Sequence, residues 1–173
     1  MVKIGTEELP LDGIEQSRLK LVLEHWTSLR GARPMPSRRD VDPHALKGAL
    51  GIVMIARYDP QQDDFRFSLF GTEIAHAQRA DYTNKLAGEL EPRAYGELIA
   101  GNYRQVRDSR RPYYGRMSLA LAQGLVSYHR LVLPLGEDGT QVDAVLVASD
   151  QEKSFWQTLY DEEARRKPRP REN

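Results

Sequence analysis

Apolar residues recur at helical spacing between Asp12 and Gly31. They fall at i, i+3, i+4, i+7 and i+10, which places them on one face of a helix. Asp12 suits an N-cap and Gly31 suits a helix end. The pattern therefore predicts an amphipathic helix over residues 12–31, after a flexible N-terminus over residues 1–11. The apolar stripe of this helix consists of Leu19, Val22, Leu23, Trp26 and Leu29.

This stripe has two interpretations. Ile14 and Leu21 add a second apolar edge, which makes the apolar surface wide for a helix on one small domain. A wide stripe can pack across a two-fold axis, so we expect it to form a dimer or partner surface. Packing of the helix on its own domain explains the same pattern.

Residues 51–70 carry the pattern of an antiparallel hairpin. Residues 51–58 read GIVMIARY, which is typical of a buried strand, and DPQQDD follows as a turn. Large apolar residues then alternate with polar ones from Phe65 onward. Short helices are predicted on both sides of the hairpin, from Asp42-Pro43 to about residue 47 and from Thr72 through TEIAHAQ.

The second half of the chain predicts one longer helix and three strands. The helix covers about residues 92–108, with Tyr95, Leu98, Ile99, Tyr103 and Val106 on one face. The strands cover residues 113–121, 126–135 and 142–149, and GEDGT separates the last two. The whole order predicts an α+β fold, with a five-stranded antiparallel sheet and helices on one face, over residues 32–150. Residues 151–173 begin as a helix and are expected to end as a disordered basic tail.

The composition of the chain excludes several classes of catalytic and metal site. The 173 residues include no cysteine, which excludes disulfides, thiolate catalysis and cysteine-ligated metal sites. The four histidines show no close ligand spacing, and no nucleophile-elbow or phosphate-loop motif occurs, so we predict no metal site and no catalytic residue. No apolar run is long enough for membrane insertion, and no signal peptide is evident, so we expect a cytoplasmic protein.

Two basic segments raise the question of nucleic-acid binding. Lys plus Arg equals Asp plus Glu, 25 against 25, and this balance argues against a dedicated nucleic-acid binder. In the first segment Asp40 and Asp42 offset nearby charge, so we interpret it as a connector. Binding through these segments is kept as an alternative. Their basic residues are Arg30, Arg33, Arg38 and Arg39, then Arg165, Arg166, Lys167, Arg169 and Arg171.

An ordered series of short motifs resembles the PAS domain family, and within it the compact bacterial group labelled PAS_5. The match runs from about residue 22 to residue 149. Its members are Trp26, Leu29-Arg30-Gly31, Met35-Pro36, Arg38, Asp40-Val41-Asp42-Pro43, Phe65-Arg66-Phe67, Leu69, Gly71-Thr72, Ile74, Tyr103, Val106, Pro112, Leu133-Pro134-Leu135 and Asp138-Gly139. Because the match includes Arg38, we expect this arginine to brace the connector.

The resemblance implies a cavity between sheet and helices. Cysteine-adduct flavin photochemistry is excluded, and the absence of histidine from the long helix disfavours haem. No cofactor is therefore expected, and a small metabolite stays a candidate. The tyrosines either line a polar pocket or pack as ordinary aromatic residues. The candidate cavity residues are Phe67, Tyr82, Tyr95, Tyr103, Met117, Tyr128 and His129.

The resemblance further implies a stand-alone regulatory or sensory module without enzymatic activity. Its output would come from protein–protein association, as a homodimer and with a signalling partner. A small isomerase or hydratase with a buried aspartate and tyrosine on a similar α+β scaffold is the enzymatic alternative.

Overall fold

The computed structural model describes residues 3–122, 124–150 and 152–166. Within them it contains one antiparallel sheet and four α-helices. No helix in these ranges is both long and apolar enough to cross a bilayer. In chain order the elements are β1 (Lys3–Glu8), α1 (Ser17–Arg30), β2 (Val53–Asp59), β3 (Asp64–Phe70), α2 (Thr72–Gln78), α3 (Arg93–Ser109), β4 (Tyr113–Leu121), β5 (Gly124–Leu135), β6 (Ala144–Asp150) and α4 (Glu152–Arg166).

The sheet has the strand order β1-β4-β5-β6-β2-β3 and confirms the predicted α+β class. It contains a sixth strand that the sequence did not predict. Lys3–Glu8 was expected to be flexible but pairs with β4, from Lys3 opposite Ala120 to Glu8 opposite Gly115. A short segment with one strongly apolar residue, Ile4, gives little local signal, because its pairing depends on a strand more than a hundred residues away.

Two local predictions need correction. α1 begins at Ser17 rather than after Asp12, because Leu11–Gly13 forms a separate 3₁₀ turn and Gln16 is the N-cap. The segment after Asp42 forms turns instead of the predicted short helix. There the Asp42 side chain accepts a hydrogen bond from the backbone N–H of His44, an Asx turn that competes with helix formation.

Both faces of the sheet are covered: the helices that follow the N-terminal one lie on one face, as predicted, and the N-terminal helix packs on the other. α2, α3 and α4 cover one face, whereas α1 packs across β5 and β6 on the other. Leu19, Val22 and Trp26 are buried there, and Trp26 Nε1 donates to the carbonyl of Pro134 at 2.8 Å. Leu23 and Leu29 are half-buried.

The predicted partner surface on α1 is therefore largely part of the core. Helical periodicity shows that a helix has an apolar face but not what covers that face. In this fold the face covers the second side of the chain's own sheet. The buried residues of the stripe are thus not a free dimer surface.

Candidate functional site

Most of the predicted cavity residues converge between the sheet and the helices α3 and α4. Phe67, Tyr95, Tyr103, Met117 and Tyr128 are all buried on this side. They come from β3, α3, β4 and β5, so the interior brings together residues from distant parts of the chain. Ordinary aromatic packing gives the same burial, so the assignment of these residues to a cavity stays a prediction.

Two of the predicted residues lie elsewhere. Tyr82 is half-buried beside the sheet, where its ring lies 5.7 Å from that of Phe70. His129 points to the α1 side, where it stacks on Tyr114 at 5.8 Å. His129 and Leu131 lie two residues apart on β5, so their side chains share one face of the sheet. Residues on both faces of β5 are buried, so the sequence pattern could not show which face His129 occupies.

A pair of tyrosine hydroxyls lies at the centre of the interior. The hydroxyl oxygens of Tyr95 and Tyr128 are 2.7 Å apart, so one hydroxyl donates to the other. Burial raises the pKa of both phenols well above the usual value, because the interior disfavours the charged phenolate. Both side chains are therefore neutral at physiological pH.

Helix α4 fills the space beside these tyrosines. The ring of Phe155 lies 5.1 Å from that of Tyr128, and Trp156 lies 4.9 Å from Tyr95. Phe155, Trp156 and Leu159 are buried. Sequence analysis predicted only the beginning of this helix. The spacing of these three residues at i, i+1 and i+4 was the available signal for an inward face.

A glutamate at the start of α4 is buried with its hydrogen bonds satisfied. Glu152 is 3% exposed, and its Oε2 accepts from Nε2 of Gln78 at 3.1 Å and from Nε1 of Trp156 at 3.0 Å. Burial raises the pKa of Glu152, and the hydrogen bonds partly oppose that shift. This cluster joins α4 to α2.

Arg130 on β5 is buried without comparable partners. The residue is 2% exposed, and within the described part of the chain none of its three guanidinium nitrogens has a hydrogen-bond partner. Its guanidinium carbon lies 5.5 Å from the centre of the Tyr103 ring. Burial raises the pKa of Tyr103 to about 12, although the positive charge of Arg130 lowers it. Arg130 was not among the residues predicted from the sequence. Its position next to the apolar run of a buried strand was the available signal of its burial.

A surface groove lies beside the start of α4. The groove is half open, has a volume of about 570 Å³, and is lined in part by Ser149 and Glu152. Ser149 lies directly opposite Arg130 in the pairing of β5 with β6. At the rim Arg18 bridges Glu73 and Asp150, each at 2.8 Å. The groove thus provides a route from solvent towards β5.

Two of the four connector arginines, Arg33 and Arg39, form ion pairs within the chain. Arg33 donates to the carbonyl of Leu29 at 2.7 Å and pairs with Asp40 at 3.0 Å. Arg39 pairs with Glu137 at 2.9 Å. Arg33 therefore closes the end of α1, a bracing role that the sequence assigned to Arg38. In the second basic segment Arg165 and Arg166 belong to α4, whereas Lys167, Arg169 and Arg171 lie outside the described residues.

The candidate site is a buried cluster of polar groups on the side of the sheet covered by α3 and α4. In the ranges that the structure describes, no three histidine or acidic side chains come together in a way that could hold a metal ion. The distinctive groups are the tyrosine pair, the unpaired guanidinium and the buried glutamate, arranged around α4. Such an arrangement can recognise a small polar molecule or a change in the position of α4.

Comparisons with known proteins identify the fold family. The model of the PAS_5 family, described as "PAS domain", matches residues 14–149. Among solved structures, the chain is similar to the PAS domain from Bordetella pertussis BvgS, with a TM-score of 0.47 and 11% identity over 68% of this chain and 90% of that chain. No curated protein matches. Because the family model covers most of the chain, this protein belongs to the PAS domain family.

Proposed function

We propose that this chain is a regulatory module that acts through protein–protein association, and that α4 links its interior to the associating surface. Membership of the PAS family supports a sensory or regulatory role. The feature that carries the proposal is α4, which begins beyond the region matched by the family model and inserts into the interior.

One helix contacts both the interior and a surface groove. Phe155 and Trp156 pack against the buried tyrosines. One turn later Leu159 lines a groove between α4, α3 and β1, and Glu163 continues its wall. Because both ends belong to one rigid helix, a change inside the domain that moves α4 also changes the shape of the groove.

The groove is suited to contact with a second copy of the chain. It has a volume of about 600 Å³ and a mainly apolar lining that includes Ile4, Leu98 and Leu159. Glu97, Glu163 and Arg166 add charges of both signs to its rim. Apolar centres with polar rims are typical of protein interfaces, and a two-fold dimer would bury the same patch on both subunits.

Sedimentation equilibrium of the full chain and of Leu98→Glu tests this association. A carboxylate in the apolar groove would be costly to bury. We therefore expect a dimer of the wild type and a monomer of about 19.8 kDa for the variant. Leu125→Glu is the matched control, because Leu125 is 58% exposed on β5 and does not line the groove. A wild-type chain that stays monomeric, or a variant mass equal to that of the wild type, would contradict the homodimer.

A further inference from the structure

The guanidinium of Arg130 is a buried positive charge without a hydrogen-bonded counter-charge among the described residues. Arginine stays protonated in proteins, and Arg130 is 2% exposed. Taking such a charge out of water is costly unless an opposite charge and hydrogen bonds replace the water. The contact with the Tyr103 ring supplies only part of that compensation, because it leaves every N–H without an acceptor.

The acidic side chains nearest in the fold are engaged elsewhere. Glu152 forms no ion pair with Arg130, and its Oε2 already accepts from Gln78 and Trp156. The carboxylate of Asp64 accepts from the backbone N–H groups of Phe65 and Gly88. Within the described residues, the charge of Arg130 therefore lacks a bound counter-charge.

Among the described residues, the groups around Arg130 offer hydrogen-bond donors and phenol oxygens but no carboxylate paired with the guanidinium. In the pair formed by Tyr95 and Tyr128, one hydroxyl donates to the other, so the second keeps a hydrogen for another acceptor. The guanidinium adds its own N–H donors in a planar fork that matches the two oxygens of a carboxylate. The surrounding rings of Tyr95, Tyr103 and Phe155 are apolar.

We propose that Arg130 anchors an interior binding site for a small monocarboxylic acid with an apolar or aromatic body. The carboxylate would pair with the guanidinium and accept from the free tyrosine hydroxyl. The body of the acid would lie among the aromatic rings. One guanidinium compensates one negative charge, so a dianion such as phosphate fits less well.

Access to this site runs through the half-open groove beside Ser149. Ser149 lies opposite Arg130 in the sheet, and Glu152 at the start of α4 also lines the groove. A small movement of α4 would open the path. This inference concerns binding by the single chain, so it stands independently of the proposed homodimer.

Thermal unfolding of the full chain, dialysed free of small acids, tests the site with acetate, hexanoate and benzoate. When the concentration of an acid is about 100 times its Kd, we expect at least one of the three to raise the Tm by about 5 °C. Benzamide, the uncharged analogue of benzoate, should give no rise.

Variants of Arg130 assign the effect to its side chain. Arg130→Met should abolish the rise, and Arg130→Lys should reduce it because lysine keeps the charge but loses the planar fork. Arg57→Met is the control, since Arg57 is an exposed strand arginine. Circular dichroism checks that each variant is folded. The proposal is overturned if none of the three acids shifts the wild-type Tm, or if Arg130→Met shows the same shift as the wild type.

Discussion

Arg130 and Glu152 are both buried on the side of the sheet covered by α3 and α4, yet only Glu152 is surrounded by donors that satisfy it. The difference has a direct consequence for stability. A buried charge that is hydrogen-bonded is tolerated, whereas one without partners lowers the free energy of unfolding. Arg130 therefore weakens the fold unless something binds to it.

Replacing Arg130 by methionine should stabilise the ligand-free chain. Methionine has a similar length and removes the unpaired charge, so we expect the free energy of unfolding to rise by about 1–4 kcal/mol. Urea denaturation measures the change, with Arg57→Met expected to stay within about 0.5 kcal/mol of the wild type. A clear loss of stability in Arg130→Met would mean that the guanidinium has a compensating partner.

The buried tyrosines predict a loss of stability at high pH. The pKa of Tyr103 is raised to about 12, against about 10 in an unfolded chain. The folded state thus holds this proton more tightly, and the resulting stability is present below about pH 10 and lost as the pH rises towards 12. Urea denaturation across this range should show a steeper decline for the wild type than for Tyr103→Phe. Parallel curves would contradict the raised pKa of Tyr103.

At the scale of the elements, the helices and strands set by local sequence could be predicted, whereas those set by distant contacts could not. α2 and β4 could be predicted because capping, alternation and turn residues act within a few positions. The pairing of β1 and the docking of α4 depend on partners far away in sequence, so their positions could not be predicted. The same limit applies to His129, which lies on a strand with two buried faces.

The docking of α4 predicts a large effect of Trp156. This ring is fully buried against Tyr95 and donates to Glu152, so Trp156→Ala removes both packing and a hydrogen bond. We expect a loss of about 3–5 kcal/mol in the free energy of unfolding. Chemical denaturation checks this, with Lys153→Ala on the exposed side of the same turn as control. Equal stabilities of the two variants would show that α4 is not part of the core.

At the scale of the whole molecule, the sheet separates the side packed by α1 from the side on which we propose that the domain responds. α1 covers one face through Trp26 and its buried neighbours, a role that its apolar stripe alone could not reveal. The other face holds the polar cluster and α4, which extends to the surface groove. The family could be predicted from ordered motifs, whereas the burial of Arg130 and the docking of α4 became apparent only through their three-dimensional neighbours.

Hydrogen–deuterium exchange of the full chain with and without benzoate tests most directly whether α4 couples the interior to the surface. We predict that benzoate changes the exchange rates of α4 amides several-fold while those of β1 stay constant. Arg130→Met should show no response to the acid. Identical exchange of α4 in the two conditions, with benzoate shown to be bound, would contradict the account.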